Sequence, residues 1–376
     1  MFVRTTLMAA TAAALAAVLA APAVAAPAAG HQATRKAVRA AVEAGVPGVT
    51  ATARDPRGTW STTAGVGDTR TGAPRSASDR YRVGSITKTL VATVLLQLEA
   101  EGRLSLDDTV DKWLPGVVTG HGNDGRRVTV RRLLNHTSGI FDYTADDDFG
   151  RTYFTKDGFF QHRYDTLTPA GLVAIAMKHK PAFAPGTSWA YSNTNYILAG
   201  MVIKAVTGRS YTEEITNRVI RPLHLTGTSL PGTRTTLPHP SSRAYSKLTD
   251  PSGPTYDVTA LNPSMASSAG ELISTGADLT RFYEALFRGK LLAPHQLKEM
   301  KTTVPVPGVP DSAYGLGLID HTLSCGVHVW GHEGGIHGST STAATTADGR
   351  HALAANFNGD WAGDPGTVLD AEFCGG

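Results

Sequence analysis

The chain has little cysteine, no long apolar run outside its N-terminal segment and no cluster of basic residues. Cys325 and Cys374 are the only cysteines among 376 residues, so the sequence allows at most one disulfide. The 35 basic and 32 acidic side chains nearly balance at +3, and without a basic cluster they give no indication of a nucleic-acid partner. The pattern G-x-S-x-G is also missing, which argues against the nucleophile turn of the α/β-hydrolases.

The first 25 residues have the features of a secretory signal peptide. Arg4 supplies a positive charge, residues 7–21 form an apolar, alanine-rich core, and Ala23-Val24-Ala25 matches an A-x-A cleavage site. The core is too short and too rich in alanine for a good membrane-spanning helix, and no later stretch approaches the required length. We therefore expect a secreted, extracellular protein without a stable membrane span.

The expected export affects the redox state of the two cysteines. In an oxidising compartment Cys325 and Cys374 would pair and close a loop of 374 − 325 = 49 residues. Two buried free thiols are the alternative.

Strand patterns cluster at the two ends of the chain, and helical patterns lie mainly between them. Strands are predicted at residues 49–54, 59–66, 314–319, 327–330, 339–345 and 351–356. Helices are predicted at residues 85–101, 130–135, 169–179, 195–207, 212–220, 276–287, 294–301 and 366–373. The arrangement predicts an α/β fold in which residues 26–103 and 265–376 build an antiparallel sheet flanked by helices, with residues 104–264 inserted as a mainly helical domain.

Ser85-Ile86-Thr87-Lys88 is the first of three motifs that carry chemistry. A serine at the start of a helix lies where backbone N–H groups favour developing negative charge, and Lys88 follows one turn later on the same face. A lysine beside a buried serine loses its proton more easily and can act as the base. The structural alternative is a helix-capping Ser85 with a solvated Lys88.

The second motif is Tyr191-Ser192-Asn193. The tyrosine hydroxyl can pass a proton to a leaving amine, and Asn193 can hydrogen-bond both Lys88 and a substrate amide. The alternative is an ordinary turn in which Asn193 or Thr194 caps the following helix.

The third motif, His332-Glu333-Gly334-Gly335, follows an apolar strand. Glycines at this point let a strand approach a substrate backbone closely. Two alternatives are a structural histidine and a metal site, although His332 and His337 are five residues apart and do not match the H-E-x-x-H spacing of a zinc helix. No metal or other cofactor is predicted.

Together the motifs supply a nucleophile, a base, a proton relay and an oxyanion hole. In this order they resemble the penicillin-recognising serine hydrolases, the superfamily of serine β-lactamases and D-Ala-D-Ala carboxypeptidases. Exported carboxypeptidases whose third motif begins with histidine are the most similar group. Further stretches that carry the resemblance are Leu104-Ser105-Leu106-Asp107-Asp108, Leu133-Leu134-Asn135-His136-Thr137-Ser138-Gly139, Tyr314-Gly315-Leu316-Gly317-Leu318 and Leu323-Ser324-Cys325-Gly326.

The resemblance implies a role for each motif residue. It implies that Ser85 is the nucleophile, Lys88 the acylation base and Tyr191 the proton relay, with Asn193 and His332 orienting the site. Substrate contacts implied by the resemblance, including an oxyanion hole at the Ser85 and Gly335 amides, are at Gly334, Gly335, Glu333, Phe149, Thr152, Met265 and Ile319. It also implies the Cys325–Cys374 disulfide.

Two departures concern the substrate pocket. The arginine that holds the substrate carboxylate in those carboxypeptidases is Ile319 here, and two threonines of the third motif are Glu333 and Gly335. Met265 replaces an aromatic residue. A carboxylate beside Glu333 would meet like charge, so the carboxylate-binding group looks lost although the catalytic residues are kept.

We therefore expect a monomeric, exported serine hydrolase that forms a Ser85 acyl-enzyme on peptide or peptidoglycan-like D-amino-acid amides or esters. Carboxypeptidase activity is the family expectation, and the departures favour an endopeptidase, amidase, aminopeptidase or esterase. β-Lactams are candidate acylating inhibitors. The alternatives are a β-lactamase or esterase and a non-catalytic penicillin- or peptidoglycan-binding protein.

Overall fold

The computed structural model describes residues 30–375, and the predicted signal peptide lies outside the described residues. The helices are α1 (Gln32–Glu43), α2 (Thr87–Ala100), α3 (Val110–Trp113), α4 (Val130–Leu134), α5 (Asp147–Tyr153), α6 (Lys156–His162), α7 (Pro169–Ala176), α8 (Asn193–Thr207), α9 (Tyr211–Ile215), α10 (Ser267–Gly270), α11 (Gly276–Phe287), α12 (Pro294–Met300) and α13 (Gly366–Cys374). The strands are β1 (Gly48–Asp55), β2 (Gly58–Asp68), β3 (Ala73–Pro74), β4 (Tyr81–Arg82), β5 (Thr119–Gly120), β6 (Asn123–Asp124), β7 (Tyr245–Ser246), β8 (Tyr256–Asp257), β9 (Ile273–Ser274), β10 (Val304–Pro305), β11 (Ser312–Tyr314), β12 (Ile319–Thr322), β13 (His328–Ile336), β14 (Ser339–Thr346) and β15 (Ala352–Phe357). Four short turns complete the elements, 3₁₀ at Gly84–Ile86, Tyr143–Ala145 and Pro263–Met265 and π-helical at Thr216–Ile220.

A nine-stranded antiparallel sheet joins the two ends of the chain. Its strand order is β10-β11-β12-β13-β14-β15-β1-β2-β3. The junction is the β1–β15 ladder, where Ala51 pairs with Ala355. Both strands lie in the middle of the sheet and are buried along most of their length. The predicted α/β fold with an antiparallel sheet flanked by helices is confirmed.

Helices cover both faces of the sheet. On one face α1 and α13 pack through Val38 and Leu369 against β1, β14 and β15. On the other face α11 packs against β1, β14 and β15, and the apolar core continues from there into α2 and α8. Burial of these apolar side chains contributes about 25 cal/mol for each Å² removed from water.

The segment between the two sheet-forming parts is mainly helical. It contains α3 to α9, together with the small β5–β6 and β7–β8 ladders. Helix α8 lies at its centre and contacts α2, α4, α7 and α10. The predicted boundaries at residues 104 and 264 stay a prediction.

Three predicted elements are corrected by the structure. Residues 314–319 are not one strand, because the chain turns between β11 and β12 and Gly317 adopts φ 68°. A side chain at Gly317 would place its Cβ 2.7 Å from Ala92 Cβ, so glycine allows this turn to lie against α2. Strand β13 is longer than predicted and contains His332 to Gly335, which therefore do not follow the strand. Ser85 precedes α2 in a 3₁₀ turn.

The C-terminal helix is covalently tied to the sheet. Cys325, in the turn between β12 and β13, forms a disulfide with Cys374 at the end of α13, with a Cα–Cα distance of 5.6 Å. The free-thiol alternative therefore does not hold in this structure. Within residues 30–375, no helix combines the length and apolar character needed to cross a membrane.

Candidate active site

The turn that carries Ser85 lies against the third motif. Gly84 adopts φ 54°, and a Cβ on it would lie 2.7 Å from the backbone nitrogen and oxygen of Gly335. Only glycine permits this approach, which sets the Ser85 turn against strand β13. Ser85 makes no capping hydrogen bond to α2 and is half-buried, so the helix-cap alternative does not describe it.

Lys88 is fully buried and bound to three groups. Its Nζ lies 2.8 Å from Ser85 Oγ, 2.8 Å from Asn193 Oδ1 and 2.7 Å from the Ala269 carbonyl oxygen. Burial lowers the pKa of Lys88 to about 7, although the negative charge of Asp142 opposes the effect. A neutral Lys88 can donate to the asparagine and the carbonyl and accept the Ser85 proton on its lone pair.

Tyr191 lies beside both Ser85 and Lys88. Its hydroxyl interacts with the Ser85 side chain, and Lys88 Nζ lies 4.9 Å from the centre of its ring. Burial raises the pKa of Tyr191 well above its usual range, so it remains a phenol at neutral pH. The phenol can give its proton to a leaving group and regain one from Lys88.

Asn193 links Lys88 to a carboxylate. It is the first residue of α8 and Thr194 is the second, so neither is the N-cap that the alternative required, and Ser192 before them makes no side-chain capping hydrogen bond. Its Nδ2 donates to Asp142 Oδ2 at 3.0 Å, while its Oδ1 faces Lys88.

His332 is a neutral, buried member of the site. Its Nδ1 donates to the carbonyl oxygen of Glu333, which leaves Nε2 to accept from the Tyr314 hydroxyl at 2.8 Å. Burial and the positive charge of Lys88 lower the pKa of His332 to about 3. His332 therefore fixes the local structure without carrying charge.

Four groups near the motif residues were not identified from the sequence. They are Asp142, His136, Tyr314 and the Ala269 carbonyl. Nδ1 of buried His136 accepts from the Ser192 N–H and from Asn195 Nδ2, both at 3.1 Å, and its ring lies 4.3 Å from that of Tyr191. His136 belongs to a stretch that supports the resemblance, but nothing in the sequence indicates which side chain it would contact.

The glycines of the third motif have different surroundings. A Cβ on Gly334 would lie 1.9 Å from the Val83 carbonyl oxygen and 2.9 Å from the Ser85 nitrogen, whereas no atom lies within 4 Å of a Cβ on Gly335. Gly334 thus allows contact with the Ser85 turn, and Gly335 borders open space in the cleft. The approach of Gly84 to Gly335 brings the two backbone amides expected to bind the oxyanion into the same part of the site.

Two cavities meet at Ser85. The larger, here called the Met265 cavity, has a volume of about 560 Å³ and is bordered by Tyr143, Phe154, Asn193, Met265 and Trp361 among others. Apolar atoms form most of its surface, and the charged residues Lys247 and Asp360 also border it.

The second cavity, here called the Glu333 cavity, has a volume of about 380 Å³. It is bordered by Tyr191, Ile319, His321, His332 and Glu333, and Ser85, Gly335 and Thr340 belong to both cavities. Among the described residues that border the Glu333 cavity there is no lysine or arginine. The side chain of Glu333 is 56% exposed, with one oxygen 3.7 Å from His321 Nε2.

The structure corrects the prediction for Phe149 and Thr152. Neither residue borders either cavity. Phe149 is buried behind Tyr143, with ring centres 5.0 Å apart, and Thr152 Oγ1 donates to the Asp148 carbonyl oxygen of its own helix. Phe154, on the same segment, occupies the place expected for them.

Among residues 30–375 no group of histidine, cysteine or carboxylate side chains is arranged to hold a metal ion. The two histidines considered for such a site face different partners, because His337 Nε2 donates to the Tyr153 carbonyl oxygen.

The family model described as Beta-lactamase matches residues 34–369. The chain belongs to this family. It shares 59% sequence identity with a D-stereospecific amidohydrolase from Streptomyces sp., with a TM-score of 0.88 over 92% of this chain and 99% of that structure. A D-amino acid amidase from Ochrobactrum anthropi is 28% identical, with a TM-score of 0.78 over 90% and 97% of the two chains. The superfamily resemblance drawn from the motifs is confirmed.

Curated relatives match over smaller shares of their length. The protein flp from Staphylococcus aureus is 36% identical over 41% of this chain, and the match spans only 28% of flp. Penicillin-binding protein 4* from Bacillus subtilis is 26% identical over 74% of this chain and 61% of its own length. Family and site geometry together identify the beta-lactamase-family chain as a serine hydrolase.

Proposed function

We propose that this serine hydrolase cleaves amides of D-amino acids or D-amino-acid peptides whose leaving group carries no free carboxylate. Neutral Lys88 takes the Ser85 proton as Oγ attacks the substrate carbonyl, and the amides of Ser85 and Gly335 bind the oxyanion. Tyr191 then protonates the leaving nitrogen and is reprotonated from Lys88. Water releases the acid from Ser85 in the second half of the reaction.

The charge of the Glu333 cavity is the observation that carries the choice of leaving group. Tyr191 borders this cavity and not the Met265 cavity, so we assign the nitrogen that it protonates to this side of Ser85. A leaving group with a carboxylate would meet Glu333 without a lysine or arginine among the described residues that border the cavity. A neutral amide or peptide meets no such repulsion.

The Met265 cavity is then left for the acyl part of the substrate. The apolar part of its border, which includes Tyr143, Phe154 and Met265, suits a large apolar side chain. The 59% identity to a D-stereospecific amidohydrolase supports the D configuration.

The direct test compares hydrolysis of D- and L-phenylalanine amide, with Ser85→Ala as the blank for both. We expect release of ammonia from the D-amide, little from the L-amide and none above background with the variant. Equal rates on both enantiomers would contradict the proposed stereospecificity. Turnover of the D-amide by Ser85→Ala would contradict the acyl-enzyme.

β-Lactams are a second class of acylating compound in this proposal. Their ring amide can occupy the same position opposite Ser85, and a penicillin-binding protein is among the relatives. We expect a reactive penicillin to compete with the D-amide and to label Ser85.

We also propose that the enzyme works outside the cell. The signal-like residues 1–25 and the Cys325–Cys374 disulfide support this location, because disulfides persist in oxidising compartments. N-terminal sequencing of the secreted protein should begin at Ala26. Finding the full-length chain only in the cytosol would contradict the proposal.

A further inference from the structure

Asp142 completes a line of side chains that leads to the nucleophile. Asp142 Oδ2 accepts a hydrogen bond from Asn193 Nδ2 at 3.0 Å, and Asn193 Oδ1 accepts one from Lys88 Nζ at 2.8 Å. Lys88 Nζ in turn lies 2.8 Å from Ser85 Oγ. A carboxylate is therefore connected to the catalytic amine through a single amide group.

The local turn uses only one of the two carboxylate oxygens of Asp142. Asp142 caps the turn Tyr143–Ala145, since its Oδ1 accepts from the Thr144 N–H at 3.1 Å. The cap does not use Oδ2, which is the atom that binds Asn193. A capping role alone leaves the second contact unexplained.

The second contact determines which way the Asn193 amide faces. An amide can turn either its oxygen or its NH₂ group toward a neighbour, but an ionised carboxylate can only accept. Asp142 therefore holds the NH₂ group on its own side and the oxygen toward Lys88. With an acceptor at that position, Lys88 donates to Asn193 and keeps its lone pair for the Ser85 hydroxyl.

Asp142 also supplies the charge that faces Lys88. Four other titratable side chains surround the amine: His136, His332, Tyr191 and Tyr196. The pKa of each histidine is lowered by burial, and the pKa of each tyrosine is raised by burial, so none is ionised at neutral pH. The charge that opposes the effect of burial on the Lys88 pKa comes from Asp142.

We propose that Asp142 is a positioning residue that acts through Asn193, fixing the amide and setting the pH at which Lys88 accepts the Ser85 proton. The inference rests on the proposed function, because it requires acylation of Ser85 with Lys88 as the base.

The test is the pH dependence of Ser85 acylation in Asp142→Asn and Asp142→Ser. The probe is N-acetyl-D-phenylalanine 4-nitrophenyl ester, which has no titrating amine and a leaving group that needs no proton from Tyr191. Asparagine and serine both retain a helix cap, but neither carries the charge. Loss of a nearby negative charge makes protonated Lys88 less stable, so the acidic limb of the acylation rate should move to lower pH by about one unit.

Asp146→Asn is the matched control. Asp146 caps the next helix through the Phe149 N–H at 2.9 Å and binds His179, without contact to Asn193. We expect this variant to leave the acidic limb where it is in the unmodified enzyme. If both Asp142 variants also give the unmodified profile, Asp142 is only a cap and the inference is overturned. If the unmodified enzyme is not acylated at Ser85 at all, that result overturns the proposed function itself, and with it the inference about Asp142.

Discussion

Burial of Lys88 sets the pH range in which the enzyme can be acylated. Because its pKa is lowered to about 7, the amine is mostly protonated at pH 5 and mostly neutral at pH 9. Only the neutral form accepts the Ser85 proton, so kcat/KM for the N-acetyl-D-phenylalanine ester should rise through pH 7 and level off above it. A rate that is constant from pH 5 to 9 would exclude Lys88 as the base, and parallel measurements with Ser85→Ala correct for spontaneous hydrolysis.

In the proposed mechanism the phenol of Tyr191 has a separate task, which is to protonate the leaving nitrogen. Tyr191→Phe should therefore lower kcat for D-phenylalanine amide by about 10² to 10⁴. It should lower acylation by the 4-nitrophenyl ester much less, since nitrophenolate leaves without a proton. Tyr164→Phe, at a 51% exposed surface position, is the control and should keep both rates. Equal losses on amide and ester would assign Tyr191 a structural role instead.

At the residue scale the sequence identifies the side chains expected to react better than the side chains that position them by hydrogen bonds. Ser85, Lys88 and Tyr191 stand in short motifs whose spacing is set by one helix or one turn. Asp142 reaches Asn193 across 51 residues of chain, and no local pattern records such a contact. The family resemblance predicts Phe149 in the substrate pocket, but Phe149 is buried in the core behind Tyr143, which borders the cleft.

At the scale of elements, the contact between β13 and the Ser85 turn depends on Gly334. A Cβ added there would meet the Val83 carbonyl at 1.9 Å, so Gly334→Ala must push the strand from the turn. We expect a loss of about 1–3 kcal/mol in the free energy of unfolding, and lower activity, because the oxyanion site is displaced.

Gly335→Ala provides the stability control for that variant. Its Cβ would have no neighbour within 4 Å, so the melting temperature should stay close to that of the unmodified enzyme. Equal destabilisation by the two alanines, measured by thermal unfolding, would mean that the strand and the turn are not in the tight contact described.

The elements themselves are predictable to different degrees. Helix α11 matches its predicted range of residues 276–287 because an amphipathic pattern and a capping Thr275 mark it locally. Strand β13 exceeds its prediction because glycine is a poor indicator of strand, yet pairing with β14 continues from Val329 to Ile336. Pairing with β14, and not the local sequence pattern, therefore determines where β13 ends.

At the scale of the whole molecule, the disulfide ties the C-terminal helix to the sheet. Replacing both cysteines in Cys325→Ser/Cys374→Ser releases a loop of 49 residues. On the chain-entropy model this should lower the free energy of unfolding by about 4 kcal/mol, as measured by urea unfolding. The reduced, unmodified protein should match the double variant. No difference between oxidised and reduced protein would contradict the expectation.

The sheet built from both chain ends was predictable, because strand patterns occur only near the termini and helical patterns separate them. The order of the strands was not predictable. The β1–β15 ladder joins residues about 300 positions apart, and the local sequence pattern of a strand does not indicate which other strand it pairs with. The monomeric state stays a prediction, and light scattering of the purified protein checks it.

The measurement that most directly tests the central claim is a paired rate assay on the oxidised protein. One substrate is an N-acylated peptide that ends in D-Ala-D-Ala with a free carboxylate, and the other is its C-terminal amide, with Ser85→Ala as the blank for both. Because Glu333 borders the cavity assigned to the leaving group, without a compensating lysine or arginine in the described border, kcat/KM should favour the amide by roughly tenfold. A preference for the free carboxylate would contradict the account and restore a carboxypeptidase.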